Sequence, residues 1–224
     1  MKLEKICQWI DKTLSVSAFS DVSNNGLQIV REGDDVTKVA FGVDASVAFI
    51  EAAAAAGAQL AVVHHGISWG GGIRRLTGSE YNVVSAAIRH NVALYAVHLP
   101  LDANHAYGNN YELARYLGLK HLTPAFVYHG ETIGCIGTLP NGKKVGVCSG
   151  GAGEFAVAAK ELGCDLYITG EASWGDVIAA ENVGMEMICA GHYSTETFGV
   201  KALATAMKKA LHVETQFLPR TEAT

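Results

Sequence analysis

Two kinds of apolar pattern alternate along the chain. In the first, apolar residues recur at the spacing of one helix face, which predicts amphipathic helices over residues 3–14 and about 197–211. The second is a short strand-like apolar run, as at residues 36–43, 60–63 and 93–97, and it is nearly continuous at 60–63. Such runs are typical of strands that are buried on both faces of a sheet. The alternation of strands with helices predicts an α/β fold.

Polar residues and glycines mark the ends of these elements. Either Asp44 or Ser46 caps a helix that runs to about residue 56, where Gly57 ends it. The Asn25-Gly26 pair predicts a turn that leads into a short strand. Further helices are predicted at about 79–90, 110–117 and 174–183, residues 122–139 form a strand or hairpin between the halves, and the tail after Pro219 frays.

The second half of the sequence repeats the first. The segment from Lys38 to Leu60 aligns without gaps with the segment from Lys144 to Leu166, at a constant offset of 106 residues. Few residues are identical, so chance similarity of two ordinary α/β units is the alternative, but the matched order of elements favours duplication. We therefore predict a single domain, residues 1–224, of two pseudo-repeated α/β lobes (about 1–120 and 121–224) with mixed sheets flanked by helices.

Composition narrows the class of protein. The chain is 49% hydrophobic and 17% charged, which suffices for a large core. A net charge of −5 without any basic stripe argues against a nucleic-acid partner. The five cysteines are odd in number and never spaced as CxxC, which indicates a reducing compartment. No apolar segment reaches the ~18 residues of a membrane span and no signal-peptide pattern is present, so we expect a cytoplasmic protein without a membrane partner.

Three predicted strand ends carry side chains that bind metals: His64 and His65, His98 and Asp102, and His192 and Glu196. Because sites in α/β sheets form at the carboxyl ends of strands, we expect these groups to converge in a cleft between the lobes. Imidazoles with carboxylates suit zinc, iron, manganese or nickel without discriminating among them. Successive side chains of a strand point to opposite faces, so His64 and His65 are expected to serve two neighbouring ions, with Glu196 able to bridge them. Two ions ~3.5–4 Å apart can activate a shared hydroxide.

The other polar residues have simpler alternatives. His90, His121, His129 and His212 are taken as ordinary hydrogen-bonded or surface histidines. Asp44 either faces the same sheet edge or caps a helix, and Glu171 either orients a ligand histidine or caps a helix. His105 lies in a loop and is either a neighbour of the ligands or solvated. The glycine-rich segment 149–153 precedes a helix and offers backbone amides to an anion, although it matches no phosphate-loop pattern.

Six short motifs occur in order along nearly the whole chain: Asn25-Gly26-Leu27-Gln28, His64-His65-Gly66, His98-Leu99-Pro100-Leu101-Asp102, Gly108-Asn109-Asn110, Thr169-Gly170-Glu171 and Gly191-His192-x-x-x-Glu196. Together they resemble the short bacterial form of the NGG-interacting factor 3-like family, whose bacterial members are often named GTP cyclohydrolase 1 type 2 homologues. The resemblance implies a dinuclear metal centre in the cleft between two α/β lobes, and a toroidal homohexamer.

The resemblance also implies roles for particular residues. The ligands of two divalent ions (zinc, iron, manganese or nickel) would be His64, His65, Asp102, His192 and Glu196, with Glu196 bridging. His98 would lie close to the metals, and we assign it as the candidate catalytic proton shuttle. Asp44, His105, Asn109 and Glu171 are expected to support the ligands or contact substrate.

One departure from the family pattern is visible. Many members have Asp-Ala-His-Pro where this chain has Asp102-Ala103-Asn104-His105. Asn104 stands in place of a histidine, so this protein is expected to differ in activity if that histidine helps substrate or water.

Two functions of different classes are consistent with these residues. The first is a dinuclear metal-dependent hydrolase acting on a small molecule such as a nucleotide, in which a metal-bridging hydroxide attacks the substrate. Ring opening of GTP and phosphoester hydrolysis both fit, and no guanine-recognition motif distinguishes them. The alternative is a non-enzymatic metal-binding or regulatory scaffold assembly. A deep cleft with an open coordination position would favour the enzyme, whereas an exposed hydrophobic patch would favour the scaffold.

Overall fold

The computed structural model describes residues 1–220, and the chain divides into two compact units. Unit 1 comprises Met1–Leu101 together with the residues from Val200 onwards, and unit 2 comprises Asp102–Gly199. The first boundary of this division follows Leu101, whereas the sequence placed it near residue 120, and the chain returns to unit 1 near its end. The tail predicted to fray lies almost entirely outside the described residues.

The elements of unit 1 are α1 (Leu3–Leu14), β1 (Gly26–Ile29), β2 (Lys38–Asp44), α2 (Val47–Ala55), β3 (Leu60–His65), α3 (Gly78–His90), β4 (Ala93–Ala96) and, at the end of the chain, β10 (Glu214–Phe217). Unit 2 contains α5 (Asn109–Tyr116), β5 (Lys120–Tyr128), β6 (Glu131–Thr138), β7 (Lys144–Cys148), α6 (Ala156–Glu161), β8 (Leu166–Thr169), α7 (Trp174–Asn182), β9 (Glu186–Cys189) and α8 (His192–Thr195). The helices α4 (Leu99–Ala103) and α9 (Thr197–Leu211) include the two points where the chain passes from one unit to the other.

The sheet of unit 1 has the strand order β1-β4-β3-β2-β10. Strands β4, β3, β2 and β10 are parallel, and β1 is antiparallel to β4. The carboxyl ends of β2, β3 and β4 therefore lie at one edge of the sheet, and the register pairs Asp44 with His65 there. This topology is what brings the first group of predicted ligands together.

Both faces of this sheet are covered, as the continuous apolar runs predicted. Ala40, Ala61 and Val63 belong to a buried cluster with residues of α2 and α3. Tyr95, on the opposite face of β4, is fully buried and donates a hydrogen bond to Asp11 of α1. Helix α1 has the predicted bounds, with Leu3, Ile6, Cys7, Ile10 and Leu14 buried. Strand β10 is not evident from the sequence pattern.

Unit 2 is built on a second mixed sheet of order β5-β6-β7-β8-β9. Strands β7, β8 and β9 are parallel, while β5 and β6 form the antiparallel hairpin that the sequence allowed between the halves. Its core includes Leu113 and Ala114 of α5 together with Val145 and Val147 of β7. Because α5 packs into this core, residues just after Asp102 belong to unit 2 rather than to the first lobe.

The sheets of the two units have the same order of central strands, in agreement with the predicted repeat. The order β4-β3-β2 in unit 1 matches β9-β8-β7 in unit 2, and all of these strands are parallel within their sheets. The two sheets differ in the strand that follows in this order. In unit 1 the strand beside β2 is β10, which is parallel to it, whereas in unit 2 the strand beside β7 is β6, which is antiparallel to it. The chain is therefore a mixed α/β fold with two mixed sheets flanked by helices.

Within residues 1–220, no helix has the length and apolar character needed to cross a membrane.

Candidate metal centre

Three histidines converge at the carboxyl edge of the unit 1 sheet. His64 and His65 end β3, and His98 follows β4 by two residues. The ring centroids of His64 and His65 are 4.7 Å apart, and those of His64 and His98 are 5.0 Å apart. One nitrogen from each ring lies within 4.8 Å of the others, which is close enough to hold one metal ion.

The two rings lie close together although successive side chains of a regular strand point to opposite faces. The two adjacent histidines were predicted to point to opposite faces and so to serve separate ions. Because His65 is the last residue of β3 and the chain turns at Gly66, its ring approaches that of His64. This turn requires glycine, since a Cβ at Gly66 would collide with the Gln28 side chain and with Cβ of Ala96.

Each of these rings is held through its Nδ1 atom. Nδ1 of His64 lies 3.0 Å from the carbonyl oxygen of Val97, and Nδ1 of His65 lies 2.9 Å from Oδ1 of Asp44. Acceptors at Nδ1 stabilise the tautomer that carries its proton there, so Nε2 is the ring nitrogen that bears the lone pair. Asp44 thus lies behind His65, and the helix cap is Ser46, whose Oγ accepts from the amide of Phe49.

Asp21 holds His98 in the same way, and sequence reasoning did not find it. Its Oδ1 lies 2.9 Å from Nδ1 of His98, and its carboxylate also accepts from the amides of Leu99 and Ser23 and from the side chain of Asn25. The carboxyl group is only 2% exposed. Burial by itself would raise the pKa of Asp21, but the hydrogen bond and charge of His98, with the bonds from Asn25 and Ser23, lower it to about 2.

A second donor group lies in unit 2, where β9 leads into the one-turn helix α8. His192 and Glu196 are four residues apart, so they lie on one face, with Nε2 of His192 3.2 Å from Oε1 of Glu196. Nδ1 of His192 is 3.0 Å from Oε1 of Glu171. The hydrogen bond to Glu196, opposed by partial burial and reinforced by Glu171, raises the pKa of His192 to about 9. Glu171 therefore contacts a ligand candidate, while Ser173 caps the following helix.

The remaining predicted ligand, Asp102, is held inside unit 2. It is 6% exposed, and its Oδ1 accepts from Nδ2 of Asn109 at 2.8 Å and from Oγ of Ser149 at 3.4 Å. Asn109 is itself fixed, because its Oδ1 accepts from the amide of Gly199 at 2.7 Å. Asn109 thus orients the Asp102 carboxylate. Ser149 also contacts this carboxylate, whereas the sequence placed Ser149 only in a possible anion-binding loop.

The glycine-rich segment 149–153 makes room for these groups rather than cradling an anion. Its amides at Ser149, Gly150 and Ala152 already donate to Oδ1 of Asn110, Oγ1 of Thr195 and Oγ1 of Thr169. A Cβ at Gly150 would collide with Oε1 of Glu196 and would lie 3.3 Å from Nε2 of His192. Three of the five amides of the anion-site alternative are therefore already used, and the segment leaves space beside the donor pair.

Two further polar residues, Asn104 and His105, make local contacts within unit 2. His105 is exposed, and its ring packs 4.4 Å from that of Tyr111. Asn104 stabilises a turn, because its Oδ1 accepts from the amides of Ala106 and Tyr107. The four histidines that were not predicted to bind metal are exposed: His90, His121, His129 and His212.

The donor chemistry of both units fits a divalent transition metal. Unit 1 offers imidazole nitrogens whose opposite ring nitrogens are fixed, and unit 2 offers an imidazole with buried carboxylates. Fixed imidazoles of this kind are typical of metal ligands. The structure therefore contains a cluster of residues that could hold a metal ion.

Comparison with known proteins shows the family of this chain. The family model described as Duf34/NIF3 (NGG1p interacting factor 3) matches residues 1–144 and 141–223. The chain belongs to the Duf34/NIF3 family. Its curated relatives include two proteins named GTP cyclohydrolase 1 type 2 homolog. The one from Pyrococcus horikoshii is 38% identical over 97% of this chain and 98% of its own length, and the one from Deinococcus radiodurans is 37% identical over 96% and 92%.

Solved structures of similar proteins share the fold. The protein TTHA1606 from Thermus thermophilus covers the whole of both chains with a TM-score of 0.84 and 30% identity. Reduced HcgD from Methanocaldococcus jannaschii has a TM-score of 0.83 and 24% identity, with 97% of this chain and 98% of its own covered, which shows a shared fold alone.

Proposed function

We propose that this Duf34/NIF3 protein is a hydrolase that uses two divalent metal ions, bound by His64, His65, Asp102, His192 and Glu196, with Glu196 as the bridge. The observation that carries the proposal is the fixed orientation of the histidines, each of which has Nδ1 bonded to an acceptor. Such rings present Nε2 without the cost of ordering them during binding. Zinc, iron, manganese and nickel all fit this donor set.

The ions and the nearby side chains would have separate roles in the reaction. The ions, when bound, supply activation of water at neutral pH and stabilisation of negative charge. His98, backed by Asp21, holds or delivers a proton at Nε2, since its Nδ1 is bonded to that carboxylate. Trp69, whose ring centroid is 5.1 Å from that of His98, helps to keep water from this side of the imidazole.

The proposed substrate is a small molecule with a hydrolysable carbon or phosphorus centre, such as a nucleotide. The name of the relatives, GTP cyclohydrolase 1 type 2 homolog, supports ring opening of GTP as one candidate reaction. The donor set is equally suited to phosphoester hydrolysis, because the same ions would stabilise a developing negative charge on either substrate. We also propose the toroidal homohexamer that the family resemblance implies, which light scattering coupled to gel filtration measures.

Replacing His65 with alanine tests the metal-dependent reaction. We expect the metal-loaded protein to turn over GTP or a member of a phosphoester panel, and the variant to do so at least about tenfold more slowly, with less bound metal. His90, an exposed histidine on α3, provides the matched control, and His90→Ala is expected to retain both activity and metal. Full turnover in the His65→Ala protein would refute the mechanism.

A second candidate function is a non-enzymatic metal-binding or regulatory scaffold. It is favoured by exposed apolar side chains on unit 2, where Trp174 of α7 is 77% exposed and Ile188 of β9 is 44% exposed. Such groups are common at protein interaction sites. Stoichiometric metal binding without turnover of GTP or any phosphoester, in a protein that retains its metal, would favour the scaffold over the hydrolase.

A further inference from the structure

A depression in unit 1 lies beside the segment that holds His98. Its volume is about 560 Å³, and its lining includes Asp11, Val16, Phe19, Asp21, Ser23 and Asn24. Pockets of about 300–1,000 Å³ are the size that proteins use for small molecules. The depression therefore has room for a monocyclic or bicyclic ring system.

Ser23 gives the first indication that a ligand belongs there. The residue is 4% exposed, and its Oγ has no hydrogen-bond partner among residues 1–220. Its backbone amide is used, since it donates to Oδ1 of Asp21. A buried hydroxyl without a partner is unfavourable, so such groups in folded proteins are commonly satisfied by a bound water, ion or ligand.

The lining also selects the chemistry of that molecule. Two carboxylates, Asp11 and Asp21, contribute negative charge, and none of the lining residues within 1–220 is a lysine, arginine or histidine. Asp11 is exposed on α1, and a carboxylate can accept further bonds besides the one that Tyr95 donates to its Oδ1. A ligand with N–H donors would be attracted, whereas a phosphate or carboxylate would be repelled.

The apolar part of the lining suits a flat ring. Val16 and Phe19 are half-buried side chains that follow α1, on the same stretch of chain as the acidic groups. An aromatic face such as that of Phe19 packs well against another ring in an offset or edge arrangement. Donor groups on the ring edge would then meet Asp11 and the hydroxyl of Ser23.

The depression is connected to the candidate proton shuttle through two shared residues. Asp21 lines it and accepts from Nδ1 of His98, while Asn25 lines it and accepts the backbone amide of His98 at 2.8 Å. A ligand bound here therefore lies against the residues that fix His98 in place.

We infer that this depression binds an amino-substituted heteroaromatic ring, with Ser23 and Asp11 receiving its N–H donors beside the Phe19 ring. The inference rests on the proposed hydrolase in one respect: it takes this ring to be a part of the substrate that is not hydrolysed, as in phosphoester hydrolysis rather than in ring opening of GTP. Binding of the ring itself needs neither metal nor turnover, so the two proposals can fail separately.

Binding of 2-aminopurine and of purine to the metal-free full-length protein tests the inference. The two probes differ by one amino group, and the fluorescence of 2-aminopurine together with amide shifts at Phe19 and Ser23 reports where it binds. We expect 2-aminopurine to bind about tenfold more tightly than purine, because its amino group donates to a carboxylate. Benzoate, a ring of similar width with a negative charge, is expected not to bind.

Two conservative variants assign the contacts. Asp11→Asn keeps an acceptor for Tyr95 but removes the charge, and it is expected to abolish most of the preference for 2-aminopurine. Ser23→Ala is expected to weaken 2-aminopurine binding about threefold without lowering thermal stability, since its hydroxyl bonds to no described residue. Glu4→Gln removes a carboxylate from the same helix outside the depression and serves as the control.

The outcomes separate the two proposals. Equal binding of purine and 2-aminopurine, binding of benzoate, or amide shifts confined to other parts of the chain would each overturn the inference. Selective binding of 2-aminopurine that persists in His65→Ala would support it, even if no substrate were ever turned over. Turnover without any selective ring binding would support the hydrolase and refute the inference.

Discussion

Replacing Asp21 with alanine is expected to lower the free energy of unfolding by about 2–5 kcal/mol, because each buried donor that loses its acceptor costs about 1–3 kcal/mol. The 2% exposed carboxylate accepts four hydrogen bonds, and its loss leaves the amides of Leu99 and Ser23 without that acceptor. Urea denaturation of the metal-free protein measures the change. The midpoint should fall with little change in slope, because the surface exposed on unfolding is nearly the same.

The same variant should alter the imidazole of His98 in a way that a general loss of stability does not. With Asp21 present, the proton of a neutral His98 ring resides on Nδ1. Without it, the Nε2-protonated tautomer should become populated, and the nitrogen chemical shifts of the ring in NMR spectra report this directly. An unchanged tautomer in a folded Asp21→Ala protein would show that Asp21 does not position the ring.

Asp44 provides the matched control, because it makes the same kind of contact with His65 at the same distance. Its carboxyl group is 44% exposed, so solvent screens the pair and replaces the lost contact. We expect Asp44→Ala to cost no more than about 1 kcal/mol. A loss as large as that of Asp21→Ala would contradict the view that burial, rather than pairing alone, sets the size of the effect.

Replacing Gly150 with alanine is expected to disrupt the donor pair of unit 2. Gly150 has a φ of +67°, where an L-residue costs about 1–2 kcal/mol, and the added Cβ would collide with Oε1 of Glu196. With an overpacking cost of about 1–3 kcal/mol, the total loss of stability is about 2–5 kcal/mol. Because Glu196 must shift, we also expect metal affinity to fall by at least about tenfold.

Gly151 supplies the comparison for this substitution. An added Cβ there would meet its nearest neighbour, Oε1 of Glu171, at 3.5 Å, which is an ordinary van der Waals distance. Gly151→Ala should therefore retain both metal affinity, measured by competition with a chelating dye, and unfolding midpoint. If Gly150→Ala bound metal as tightly as Gly151→Ala, the assignment of Glu196 as a ligand would be wrong.

The sequence predicts the parts of this molecule that depend on regular patterns. Strands β2 and β3 are continuous apolar runs, so their carboxyl ends, and with them His65, could be located. The constant offset between the halves predicted equivalent strands in unit 2, which the shared strand order confirms. Helix α1 has the bounds that were predicted, because its apolar spacing is unbroken.

Contacts made by isolated polar residues could not be predicted from the sequence. Asp21 lies in a loop without periodicity, 77 residues from the histidine that it holds, so no local pattern links them. The sequence left both Asp44 and Ser46 as possible caps of α2. The strand register decides between them, because it pairs Asp44 with His65. Strand β10 was missed because its four residues are polar or partly exposed, and it is defined by pairing with β2.

The return of the chain to unit 1 has a consequence for synthesis on the ribosome. All residues of unit 2 have been made once Gly199 is added, but the first sheet lacks β10 until Phe217 emerges. Until then, β2 is an open edge with unpaired backbone groups, the kind of edge that invites pairing with other chains. The usual order, in which the amino-terminal part folds first, is therefore expected to be reversed, with the inserted unit complete before the unit that begins the chain.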